Sequence, residues 1–152
     1  MYRRRALATG LLAMLLAAAS AFAGCATIRE PRAPSFGIVT FNLYHDKADW
    51  PKRRALIVDE LRELQPDAIV LQEVLQHEAL RNQADDLAAA LGYSAYFISI
   101  DPGDRPRRYG NAILTRHPVL ARDWTRLRPL EDSRTAGWAR IDIGGHPLNV
   151  YV

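Results

Sequence analysis

Apolar and polar positions follow two rhythms along residues 36–152. Phe36 to Asn42 is a short run rich in Phe, Ile and Val, the signature of a buried strand. After a polar stretch from Leu43 to Asp49, the residues Leu56, Ile57, Leu61 and Leu64 fall at helical spacing, which predicts an amphipathic helix over 50–64. Pro51 suits the first turn of that helix. Gln65-Pro66 ends it, because a residue before proline avoids the α region. Ala68 to Leu71 is a second apolar run. Strand, helix, strand predicts a parallel pair joined by a crossover helix.

A second helix is predicted over 78–91, stopped by Gly92. The pattern then turns to strands at 93–100, 111–115, 121–128, 136–143 and 148–152. Residues 101–108 carry Pro102, Gly103 and Pro106 and read as an exposed loop, and Gly144-Gly145 predicts a hairpin turn. The expectation is one α/β (α+β) domain over 36–152 without internal repeats. The final apolar run reaches Val152 itself, so the domain is expected to be C-terminally truncated in this chain.

Residues 1–25 obey a different logic. Arg3 to Arg5 form a positive segment, Ala6 to Ala19 is apolar, and Ala21-Phe22-Ala23-Gly24-Cys25 is a small-residue cleavage region. That order is a secretory signal peptide, and its apolar run is short of the roughly 20 residues a membrane span needs. Two processing readings compete. Ala21-Phe22-Ala23 suits ordinary signal peptidase, whereas Phe22-Ala23-Gly24-Cys25 is similar to a bacterial lipobox, with Cys25 as the lipidated residue. Phe22 departs from the Leu preferred there. Cys25 is the sole cysteine, which excludes an intrachain disulfide framework. The protein is therefore expected to be exported, either lipid-anchored to the cell envelope (an outer-membrane anchor included) or periplasmic or secreted. Residues 26–35, with Pro31 and Pro34, read as a tether.

Charge changes the picture little. Of the 20 basic residues three are Arg3 to Arg5; the 17 that remain equal the 17 acidic ones, all beyond Cys25. The sequence pI of about 9.3 thus comes from the leader. A neutral domain lacks the basic footprint that nucleic-acid binding usually leaves.

Candidate chemistry begins with two polar residues at matching places. Asn42 ends the first predicted strand and Glu73 follows the second, within Leu71-Gln72-Glu73-Val74. On parallel neighbours both reach one rim, where ligands of α/β sheets bind. A carboxylate beside an amide suits a hard cation such as Mg²⁺, which takes few protein carboxylates and keeps waters that substrate phosphate can replace. Taken alone, a polar residue just after a strand is more often a cap or loop residue; the pairing on consecutive strands is what points to function.

Three ordered segments carry a resemblance. Val39-Thr40-Phe41-Asn42-Leu43, then Trp50, Arg53 and Pro66-Asp67-Ala68-Ile69-Val70-Leu71-Gln72-Glu73-Val74, resemble the opening of the endonuclease/exonuclease/phosphatase (DNase I-like) superfamily. Tyr109-Gly110-Asn111-Ala112-Ile113-Leu114-Thr115-Arg116-His117-Pro118-Val119 resembles its next hallmark, where members often read GNAILSR-x-P, and Arg134 to Val152 is similar to the following strand pair. The resemblance implies a four-layer α-β-β-α sandwich, of which this chain supplies about half. It implies a hydrolase of phosphoester bonds that uses Mg²⁺ or Mn²⁺. Glu73 would bind the metal, and Asn42 would sit beside it, orienting its water shell or the phosphate. Asn111, Arg134 and His45 are the candidates for substrate contact. Arg53 and Arg116 are expected to be structural.

An endonuclease-like phosphodiesterase is slightly favoured. Phospholipid head-group or inositol phosphate hydrolysis is the alternative, and a non-catalytic surface lipoprotein using the fold for binding is the rival from another class. The family's water-activating His and Asp residues lie in later motifs that this sequence does not contain, so residues 26–152 alone are expected to be inactive. His77, His117 and His146 are expected to be solvated surface histidines. No Cys/His cluster has zinc spacing, and neither a G-x-S-x-G elbow nor a Walker loop is present.

Overall fold

The structure is a computed structural model that describes residues 35–152. The leader 1–25, Cys25 and the tether up to Pro34 lie outside the described residues. The elements in order are β1 (Ile38–Asn42), α1 (Trp50–Leu64), β2 (Ala68–Gln76), α2 (Gln83–Leu91), β3 (Ser94–Ile98), β4 (Arg108–Thr115), β5 (Val119–Arg126), β6 (Thr135–Ile143) and β7 (His146–Tyr151). They form a four-stranded sheet in the order β1-β2-β4-β3 and a three-stranded sheet in the order β5-β6-β7. β1 and β2 are parallel, with α1 as the crossover; every other pair is antiparallel.

The core has two layers because β2 is covered on both faces. Ile69, Leu71 and Val74 of β2 and Ala112 and Leu114 of β4 pack under Val58 and Leu61 of α1 and Ala84, Leu87 and Ala88 of α2. On the opposite face, Ala68, Val70 and Ile113 meet Ala139, Ile141 and Val150 of the second sheet. A strand buried on both sides loses the alternation that one-sided strands show. That is why residues 68–71 read as an unbroken apolar run. Both helices pack on the four-stranded sheet, so the described residues supply helix, sheet and sheet. β1 is an edge strand, and beside it Val39, Phe41, Leu56, Ile57 and Leu64 line an apolar groove of about 380 Å³.

Element boundaries moved where tertiary contacts outweigh local pattern. β2 runs on to Gln76 instead of stopping at Leu71, because β4 starts at Arg108 and pairs along it: Val74 opposite Gly110, Leu75 opposite Tyr109, Gln76 opposite Arg108. Part of the expected loop 101–108 is therefore strand. α2 starts at Gln83, not Glu78. The Asn82 side chain caps it, accepting hydrogen bonds from the amides of Ala84 (3.0 Å) and Asp85 (3.3 Å). Ahead of it, His77 and Leu80 close a small turn through two backbone hydrogen bonds. Gly144 and Gly145 both take positive φ in the β6–β7 turn, as the hairpin reading requires.

Candidate active site

At the end of the four-stranded sheet where β1 and β2 finish, an open cleft of about 470 Å³ is lined by Asn42, Gln72, Glu73, Tyr109, Asn111 and Arg134, among others. Each arrives from a different piece of chain. Asn42 closes β1, pairs in register with Gln72, and its Oδ1 accepts the Tyr44 amide at 2.8 Å. Tyr109 and Asn111 come from β4, and Arg134 immediately precedes β6. Asn111 Nδ2 donates to the carbonyl of Thr135 at 3.2 Å, which ties the first sheet to the second at the floor of the cleft.

Glu73 is not at a strand end, as the sequence pattern suggested. It sits in a bulge inside β2, where the register with β4 breaks between Leu71 and Val74. Its φ is +57°, a left-handed conformation that costs a non-glycine residue about 1–2 kcal/mol. The extra residue turns the side chain out of the sheet and into the cleft. The carboxylate meets the His45 ring at 3.0 Å, and the imidazole stands edge-on to Tyr109 with 5.0 Å between ring centroids. Burial pushes the Tyr109 hydroxyl pKa up, the nearby Glu73 charge pushes it further, and Arg134 pulls it back. Three of the cleft's charged and polar groups thus feel one another.

The loop that presents His45 is strained as well. Tyr44, His45, Ala48 and Asp49 all have positive φ. Arg53 on α1 holds the loop by donating to the carbonyls of Leu43 (2.7 Å), His45 (3.1 Å) and Lys47 (2.7 Å). The fork of the guanidinium suits such multiple acceptance.

Which ion could this set hold? The candidates are oxygen donors: the Glu73 carboxylate and the side-chain amide of Asn42, with Gln72 alongside. Among the described residues no group of three or more His, Cys, Asp or Glu is placed to hold an ion. One carboxylate in an open, polar cleft fits Mg²⁺ or Mn²⁺ with retained waters, and does not fit a closed all-protein site of the zinc kind.

The other predicted residues fall elsewhere. Arg134 lies on the cleft wall, loosely paired with Asp132 at 3.4 Å and largely exposed. Arg116 is at the far end of the sheet, where its guanidinium holds Asp67 at 2.7 Å. His117 is not a solvated surface residue: its ring meets the same Asp67 oxygen at 2.8 Å. His77 also has a partner, Asp46, at 3.3 Å. Sequence reading overlooked Tyr109, Gln72 and Thr135. The first two stood inside quoted segments and could have been inferred from strand alternation, whereas Thr135 enters only through sheet packing.

The Endonuclease/Exonuclease/phosphatase family matches residues 39–152, a span that begins inside β1 and includes every residue lining the cleft. The chain belongs to this family. Among solved structures, an endonuclease/exonuclease/phosphatase family protein from Leptotrichia buccalis superposes with TM-score 0.64 at 21% identity, covering 77% of this chain and 54% of that one. Humanized TDP2 of D. rerio gives TM-score 0.61 at 20% identity, covering 76% and 45%. Sphingomyelinase C from Streptomyces griseocarneus gives 0.56 at 19%, covering 78% and 48%. The chain spans about half the length of these relatives. No curated protein matches it. At such identities the likeness concerns the fold, and the family's two-sheet architecture is what the described residues share.

Proposed function

We propose that the complete protein is a divalent-metal-dependent hydrolase of phosphoester bonds, with Glu73 and Asn42 at the metal and Asn111, Arg134 and His45 facing the substrate. The observation that carries this reading is the bulge at Glu73, which spends backbone strain to aim a carboxylate into the same cleft as Asn42. A bound Mg²⁺ or Mn²⁺ would polarise a phosphoryl oxygen and stabilise the charge that develops there. Arg134 supplies an exposed positive charge at the cleft wall, suited to orienting a phosphate. Asn111 is held by Thr135 and offers its remaining amide capacity to the substrate. The expected test result is that the complete protein cleaves bis-p-nitrophenyl phosphate or plasmid DNA in Mg²⁺, and that Glu73→Gln reduces the rate at least about a hundredfold. Full activity in that variant would refute the metal role.

Phosphodiester cleavage in nucleic acid is the first choice of substrate. The second is a phospholipid head group or an inositol phosphate, and it draws on the leader: a protein lipidated at Cys25 works beside a membrane. Among the structural neighbours, one is D. rerio TDP2 complexed with a single-strand DNA product and another is a sphingomyelinase C, so both substrate types occur on this fold. Parallel assays on plasmid DNA and on sphingomyelin vesicles separate the two. Mass spectrometry of the mature N-terminus decides the anchor: a diacylglyceryl-modified Cys25 is expected, and an N-terminus at Gly24 would remove it. If neither substrate is cut by the complete protein, the rival reading of a binding lipoprotein takes over.

A further inference from the structure

β1 leaves the sheet after Asn42, and its last ladder partner is Gln72, so beyond that point the β1 side of β2 has no strand beside it among the described residues. Glu73 and its bulge lie in this stretch. One side chain fills the place of the missing strand. Gln83, the first residue of α2, is fully buried. Its Oε1 accepts the Leu75 amide at 3.0 Å, and its Nε2 donates to the His45 carbonyl at 2.8 Å. A single amide therefore bridges the strand two residues past Glu73 and the loop residue whose ring contacts Glu73. Asn82, one position earlier, reaches back to the Gln76 side chain at 3.1 Å. The start of α2 thus grips β2 on the far side of the bulge.

We propose that Gln83 is a positioning residue for the cleft: it fixes the Glu73 carboxylate and the His45 loop relative to each other, and so sets the affinity of the divalent cation site. This rests on the metal reading of Glu73 above. The chemistry is specific to a primary amide. Bridging needs one acceptor and one donor on a short, planar group, which Gln offers and Leu, Lys or Glu does not. Nothing in the helix itself requires the residue, because Asn82 already caps α2. Two left-handed backbones, at Glu73 and His45, flank the bridge, and strained conformations persist only where surroundings over-determine them.

The experiment is Mn²⁺ binding to the complete protein, read by water-proton relaxation, alongside thermal unfolding. Four variants are compared: Glu73→Gln, Gln83→Leu, Gln83→Glu and Leu87→Ala. Glu73→Gln is expected to lose the site. Gln83→Leu is expected to weaken Kd by about tenfold or more, the usual effect of removing a group that orients a metal ligand. Leu87→Ala thins the same helix's core contact but keeps the bridge; its Tm drops while Kd stays within about twofold of wild type. Gln83→Glu keeps an acceptor for Leu75 and turns the donor to His45 into a repulsion. Its Kd is expected between wild type and Gln83→Leu, and this variant carries the test if Gln83→Leu does not fold. Wild-type Kd in a folded Gln83 variant, beside loss of binding in Glu73→Gln, overturns the inference alone. Unchanged binding in Glu73→Gln overturns the metal reading and this inference with it.

Discussion

Two carboxylate–histidine pairs lie along β2, one just ahead of the strand and one in its bulge, and they act to opposite effect. At the start of the strand, Asp67 is nearly enclosed. It accepts the Gly37 amide at 2.7 Å, Arg116 at 2.7 Å and the His117 ring at 2.8 Å. Burial alone would raise its pKa, but these three donors outweigh that and hold it well below the ordinary carboxylate range. The Asp67 carbonyl meanwhile accepts the buried Thr115 hydroxyl at 2.8 Å. In the bulge, Glu73 has one histidine contact, takes no backbone amide among the described residues, and stands on a strained backbone in an open cleft. A carboxylate whose acceptor sites are filled by its own chain is a fastener. One left short of donors, at an energetic cost to the backbone, is available for a ligand. The same residue pairing therefore has to be judged by saturation and strain, not by composition.

Breaking the fastener should produce the largest effect. Asp67→Asn in the complete protein is expected to lower stability by about 3 kcal/mol in urea unfolding, because Arg116 and His117 lose their shared anion. The pH dependence follows from the depressed pKa. The folded value lies below the unfolded value of about 3.9, so the contribution is complete above that pH and is lost as pH falls through the folded value. Wild type should lose stability steeply below about pH 4, and Asp67→Asn should lose less over the same range. Equal slopes would mean that the carboxylate is not held as described.

Gly110→Ala tests the backbone that supports the Glu73 bulge. A Cβ there would lie 1.9 Å from the Ile98 carbonyl oxygen, so β3 and β4 would have to part. A loss of about 2–3 kcal/mol is expected, together with weaker Mn²⁺ binding in the adjoining cleft. Glu73→Gly sharpens the contrast from the other side. It should raise stability by up to about 1 kcal/mol by relieving the left-handed strain, while abolishing cation binding. A clear loss of stability would place Glu73 among the fasteners. The smallest effect is expected at Arg134→Ala. Its side chain is 76% exposed, so unfolding should shift by less than about 0.5 kcal/mol, with any consequence confined to substrate KM.

What the sequence by itself determined is the part governed by local rules. The βαβ opening, the helix over Trp50–Leu64, the Gly144-Gly145 hairpin and the family all follow from periodicity, from proline and glycine chemistry, and from short ordered motifs. Asn42 and Glu73 could be singled out because each stands where an apolar run meets polar chain. Only the tertiary structure decided the rest. The length of β2 depends on β4, some 40 residues away, whose pairing adds ladder bonds that no local window contains. The bulge that aims Glu73 is a mismatch between two strands, so it has no signature in either one. Gln83 looks like any polar residue in a helical stretch until β1 departs and leaves the Leu75 amide for it to satisfy. His117 looks solvated until the β4–β5 turn folds back onto Asp67. What decides these features is pairing between different elements, such as Gln83 with His45 and His117 with Asp67, and such partners exist only once the sheets have closed.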